Sequence, residues 1–177
     1  VPSGASSPEP SVDAGSGEPS DATSPSGPAA PELEARLPTS VGGVSLTVDS
    51  ATGSTILAED PGSRAIIAAL RADGKDPDAL SFANAYDETA ASDLQLMAFS
   101  VDGMAVDKVL RFVIDSWLAA SGTGVTKDQV TLDGREFTRI NYGDQGALDY
   151  VLAEKSTVIV ITTADPSLAA QAAAALP

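Results

Sequence analysis

The sequence predicts an α+β domain, with a mostly antiparallel sheet of about six or seven strands and about three helices packed on one face. Three observations carry this. Apolar runs of strand length arrive in hairpin-like pairs rather than alternating singly with helices. Asp133-Gly134 stands between two such runs, and that pair tolerates the positive φ of a type I′ turn. Residues 104–121 carry an apolar stripe at helical spacing, wide enough to lie on a sheet.

Val44, Leu46 and Val48 alternate with polar neighbours, the pattern of a half-buried strand, and the Ser/Thr/Gly cluster at 50–55 reads as punctuation. Asp60-Pro61 supplies an N-cap and a first helical residue. Ile66, Ile67 and Leu70 form a stripe, and Asp73-Gly74 closes a helix over 62–73. Leu80, Phe82 and Tyr86 share one parity and predict a strand at 80–86, joined by the loop 87–93 to a strand at 94–101. That second strand is apolar on both parities and is expected to be central.

In the helix at 104–121, Val106, Val109, Leu110, Val113, Trp117 and Leu118 face the core. Asp107 and Arg111 are placed for an i, i+4 ion pair, and Gly122 ends the element. Val130 and Leu132 pair across the Asp-Gly turn with residues 137–142, and a strand follows at 147–153. The β-branched run at 158–162 predicts a buried central strand. Asp165-Pro166 opens a last helix with Leu168, Ala172 and Leu176 on a narrow face. The Asp-Pro helix openings at 60 and 165 make a faint internal echo, which ordinary cap chemistry explains equally well.

Ahead of this domain, taken as 37–177, residues 1–36 read as a disordered Pro/Ser/Gly-rich acidic linker. Eight of the twelve prolines occur by Pro38, and the ten basic residues all lie at Arg36 or beyond. Such a segment holds too little apolar surface to offset the entropy of ordering it. No run approaches the length of a transmembrane helix, and no signal-peptide pattern is present. A stalk ahead of a compact domain suits a protein held at a surface by its N-terminus. Alanine, valine, aspartate and threonine are abundant and lysine is scarce, as in proteins from GC-rich bacterial genomes. In layout and tail composition the chain resembles the mature part of bacterial surface lipoproteins. The resemblance implies an extracytoplasmic, surface-anchored protein; the lipidated cysteine is missing, so an N-terminal lipid anchor would lie upstream of Val1.

Composition narrows the chemistry. Twenty-five acids against ten bases give a net charge of −15, which argues against nucleic-acid and polybasic membrane-surface binding. The absence of Cys and His removes thiol nucleophiles, zinc-thiolate and imidazole sites and Ser-His-Asp catalysis. Neither phosphate-binding glycine motif is present, and none of Lys75, Lys108, Lys127 and Lys155 forms a Ser-x-x-Lys pair. The carboxylates Asp87, Glu88 and Asp93, and Asp144 and Asp149, lie in or near two loops without the aromatic platforms a glycosidase uses. Asp73, Asp76 and Asp78 lack the spacing of a calcium loop and read as a solvated turn.

An apolar ligand such as a lipid could lie between helices and sheet, lined by Phe82, Met97, Phe99, Met104, Phe112, Trp117 and Tyr150, although each of these also serves as core. The expectation is therefore a non-enzymatic extracytoplasmic binding or interaction domain, tethered by its stalk, whose partner is a protein or an apolar ligand. The alternatives are a lipid carrier and, least favoured, a carboxylate hydrolase. No catalytic, cofactor-binding or metal-ligating residue is assigned, and no cofactor is expected.

Overall fold

The computed structural model describes residues 29–59, 63–120, 124–143 and 146–177, with the backbone alone at 58, 59, 65 and 116–120. Helix α1 (Pro31–Glu34) leads into a two-stranded hairpin, β1 (Ser40–Val41) and β2 (Val44–Ser45). Next come β3 (Thr47–Thr52), α2 (Gly53–Glu59), α3 (Arg64–Ala72), a 3-10 turn at Pro77–Ala79, β4 (Leu80–Tyr86) and β5 (Gln95–Val101). The second half comprises α4 (Val106–Ala120), β6 (Thr126–Leu132), β7 (Arg135–Asn141), β8 (Leu148–Glu154), β9 (Thr157–Thr163) and α5 (Pro166–Ala175).

The main sheet has seven strands in the order β3-β4-β5-β9-β8-β7-β6, and every neighbouring pair is antiparallel. The α+β class and the strand number agree with the sequence. The β-branched run forms β9, fourth of the seven, where both faces are covered: Val158, Val160 and Ile161 are fully buried and Ile159 nearly so. The Asp133-Gly134 turn has φ of 48° and 75°, as a type I′ turn requires. α3 ends in a Schellman arrangement, in which Lys75 N donates to Leu70 O and Gly74 N to Arg71 O, with Gly74 at φ 71°. Asp165 caps α5 by accepting from Ser167 N at 2.8 Å.

The helices do not share one face. Side chains alternate across each strand, and the two parities feed two cores. Ala83, Ala85, Leu96, Ala98, Phe137, Tyr150, Ile159 and Ile161 pack with α1, α5 and the β1–β2 hairpin. Leu80, Val101, Ile140, Val151, Val158 and Val160 pack with α2, α3 and α4. The chain is thus a three-layer sandwich with five helices among the described residues. The physical reason is the both-parity apolarity of β5 and β9: a strand apolar on both sides needs cover on both. α4 and α5 each follow a hairpin yet lie on opposite faces, so the two hairpin–helix units are not related by the two-fold that would exchange β5 and β9.

Other expectations shift. The cluster at 50–55 does not simply punctuate: it ends β3 and opens α2 at Gly53. A Cβ at Gly53 would stand 2.2 Å from Pro77 O, so only glycine lets the chain turn there against the 3-10 turn. Residues 30–36, assigned to the linker, already belong to the fold: Ala30 and Leu33 are buried, and Ala30 N donates to Ser50 Oγ. In α4, Arg111 Nε donates to the Asp107 carbonyl rather than pairing with its carboxylate. Asp60, Pro61, Gly122 and Asp144, the side chains of Trp117 and Leu118, and most of the linker expectation lie outside the described residues.

Candidate functional site

Of the acids raised by the sequence, Asp73, Asp87, Asp93 and Asp149 are engaged by the fold. Asp87 closes its own loop. Its Oδ1 accepts from Thr89 N and Oγ1, and its Oδ2 from Ser92 N and Oγ. These bonds, the one from the Thr89 hydroxyl foremost, hold its carboxyl below the usual range. Asp93 reaches across to the end of β9, accepting from Thr163 Oγ1 and Ala164 N. Asp73 pairs with Lys108 at 2.7 Å. Among the described residues no three acids gather as a metal site.

Asp149 is the buried carboxylate, 7% exposed on the α4 side of β8. Register places it directly opposite Thr162, whose Oγ1 donates to Oδ1 at 2.6 Å. Tyr142, just past the end of β7, donates its hydroxyl to Oδ2 at 2.5 Å. Burial, then the bond to Asp149, pushes the Tyr142 phenol well above its ordinary value. The two short bonds engage both carboxylate oxygens, and this trio pins β7, β8 and β9 together.

Among the described residues, the apolar lining expected for a lipid does not gather around one chamber. Phe82 and Phe99 pack with ring centroids 5.2 Å apart. The apolar pocket among Ile56, Leu57, Ile66, Leu80, Phe99, Phe112 and Val113 holds about 60 Å³, small beside ligand pockets of roughly 300–1,000 Å³. Tyr150 lies on the opposite face, with the α5 core.

A larger opening sits at the α1 end of the sheet. Two adjoining lobes, of about 370 and 560 Å³, share Glu32, Ser81, Ser100 and Ser156. Strand register builds the floor. Ser81 lies opposite Ser100, and the β5–β9 pairing continued by one step brings Ser100 beside Thr157. The Lys155-Ser156 turn between β8 and β9, with Lys155 at φ 57°, sets the Ser156 rim. The wall is the α1 segment, which carries Glu32 and Arg36. α1 is fixed by the buried Leu33 and by Ser50 Oγ, which donates to Glu34 Oε1 at 2.6 Å.

What distinguishes this groove is that its polar groups are not committed. Among the described residues no hydrogen bond or ion pair engages the side chains of Glu32, Arg36, Ser81, Ser100, Ser156 or Thr157. Thr157 is 3% exposed as a residue, but its hydroxyl is not among the buried atoms left without a partner and opens onto the groove floor. No local pattern of residues signals this site. Serines and threonines are common in strands, and the groove exists only because register sets three strand ends side by side. Comparison with protein-family models, with curated proteins and with solved structures finds no match for this chain.

Proposed function

We propose that this chain is a non-catalytic binding domain held at a cell surface, outside the cytoplasm, by its N-terminal stalk, and that the groove beneath α1 is its contact site. The observation that carries the reading is the concave row of uncommitted hydroxyls at Ser81, Ser100, Ser156 and Thr157, walled by Glu32 and Arg36, which form no ion pair among the described residues. These donors and acceptors stand open where a small molecule can reach them. The carboxylates needed for acid–base work are engaged elsewhere: Asp149 by Tyr142 and Thr162, Asp93 by Thr163. The tether rests on the Pro/Ser/Gly-rich, base-free composition of the segment that enters the domain at α1.

The test pairs turnover with location. The full chain is incubated with p-nitrophenyl esters, phosphates and glycosides, and its position is determined by protease treatment of intact producing cells. No turnover and cleavage from outside are expected. Turnover that is lost in Asp149→Asn, or full protection of the protein until the cells are lysed, overturns the reading.

A further inference from the structure

We infer that the groove beneath α1 takes a small zwitterion, a free α-amino acid, held between Glu32 and Arg36; this rests on the groove being a binding site. Glu32 lies in α1 and Arg36 in the turn that follows it, two residues past the helix end. Both line the 370 Å³ lobe, and neither forms an ion pair with the other or with any described residue. The wall therefore presents one open carboxylate and one open guanidinium. The first matches an ammonium, and the second a carboxylate in the bidentate geometry that guanidinium favours.

The floor suits both ends of such a ligand. Ser81, Ser100 and Thr157 present hydroxyls from three adjacent strands, and a hydroxyl donates and accepts alike. Thr157 lies at the floor of the lobe, placed to bond a ligand that fills it.

Other ligand classes fit less well. Among the described residues no aromatic side chain lines either lobe, so a nucleobase or a sugar ring finds no platform there to stack on. A simple anion meets Glu32 and, in the second lobe, Asp102, on a chain of net charge −15. A simple cation meets Arg36. A molecule carrying both charges satisfies both walls, and it would tie α1 to the ends of β4, β5 and β9.

The experiment uses the full 177-residue chain, labelled with ¹⁵N, and follows the amide resonances of Ser81, Ser100, Ser156 and Thr157. The probes are L-alanine and L-leucine, their N-acetyl and amide derivatives, which keep one charge each, and sucrose. Both amino acids are expected to shift these resonances saturably and to bind about tenfold more tightly than either derivative. Glu32→Gln is expected to weaken the amino acids and the amides, and Arg36→Gln the amino acids and the N-acetyl forms. Hydrogen exchange at Leu33 and Leu37 is expected to slow on binding. Amino acids that bind no better than their derivatives, or no shift with any probe at millimolar concentration, overturn the inference. Saturation by sucrose alone also overturns it, while leaving the groove a binding site.

Discussion

Tyr142→Phe and Tyr150→Phe remove the same atom, yet the fold assigns them opposite signs. Tyr142 donates to the buried Asp149 carboxylate at 2.5 Å. A hydrogen bond to a charged group contributes roughly 1.5–3 kcal/mol. The Tyr142 ring is only half-buried, and solvent screening lowers that figure, so about 1–2 kcal/mol is expected to be lost. Asp149 keeps Thr162 as a donor, which limits the damage. Tyr150 is 2% exposed under α5, and its hydroxyl has no hydrogen-bond partner. Arg139 lies near enough to oppose the upward push that burial gives this phenol, but its guanidinium is held by Asp128 at 3.0 and 2.7 Å. Deleting an unpartnered buried hydroxyl removes its desolvation cost, and a small void offsets part of the gain, so about 0.5–1 kcal/mol is expected to be recovered. For a domain of this size each kcal/mol moves Tm by about 2–4 °C. Urea titrations followed by far-UV circular dichroism read both changes, with an unchanged m-value confirming that the difference is one of stability. A destabilised Tyr150→Phe, or a neutral Tyr142→Phe, would refute the assignment of partners.

All three tyrosines have phenol pKa values above 10, Tyr86 chiefly through Asp49 and the other two chiefly through burial. A group raised in the folded state lends stability that is fully present below its unfolded value and is lost as pH rises through the folded one. The absorbance titration at 295 nm is therefore expected to lag the free-phenol curve, and Asp49→Asn to bring one tyrosine back toward 10. At the acid end, Asp165 sits below 3.8 because Ser167 bonds its carboxylate. The stability it supplies is present above that value and lost as pH falls, so the Tm of Asp165→Ala should drop less than the parent's between pH 5 and pH 2. Gly53→Ala would push a methyl against Pro77 O and Leu80 Cβ, at 2.2 and 2.9 Å; overpacking of this kind costs about 2 kcal/mol, read as a Tm loss of about 6 °C. Millimolar calcium against chelator is expected to leave Tm unchanged, because Asp73 is paired with Lys108.

What could be read from the sequence was local. A strand at 80–86, the Asp-Gly turn and the Asp165 cap each depend on neighbours within a few residues, and the structure places them as read. α2 was hidden because Gly53, Ser54 and Thr55 look like a turn. Its helix follows from a tertiary fact, the close approach of Pro77, that no window of sequence contains. α1 was hidden by its setting: four residues in a proline-rich stretch are helical because Leu33 finds a core to enter. The second covered face was in principle legible. β5 and β9 are apolar on both parities, which marks a central strand and equally requires two layers of cover. In β4 the fully buried positions are Ala83 and Ala85, not the larger Phe82 and Tyr86 that share the other parity. Small residues there let the α1 layer sit close, a signal that hydrophobicity alone understates.

The groove depends on register in a way that sharpens this point. Ser81, Ser100 and Thr157 become neighbours only through the pairing of β4 with β5 and of β5 with β9. A slip of one residue in either pairing would turn one strand's side chains to the other face and break the row. Register is in turn enforced by the apolar positions next along each strand: Ala83, Ala98 and Ile159 fall in line on the same face. The core that fixes the sheet thus also fixes the hydroxyl row, two residues away along every strand. No side-chain hydrogen bond holds that row together, since the side chains of its members bond nothing among the described residues. It is carried by the packing beside it. Substitutions at Ser81 or Ser100 should therefore alter what the groove contacts while leaving the fold nearly as stable, which is the separation of roles expected where function is set on a scaffold and not built into it.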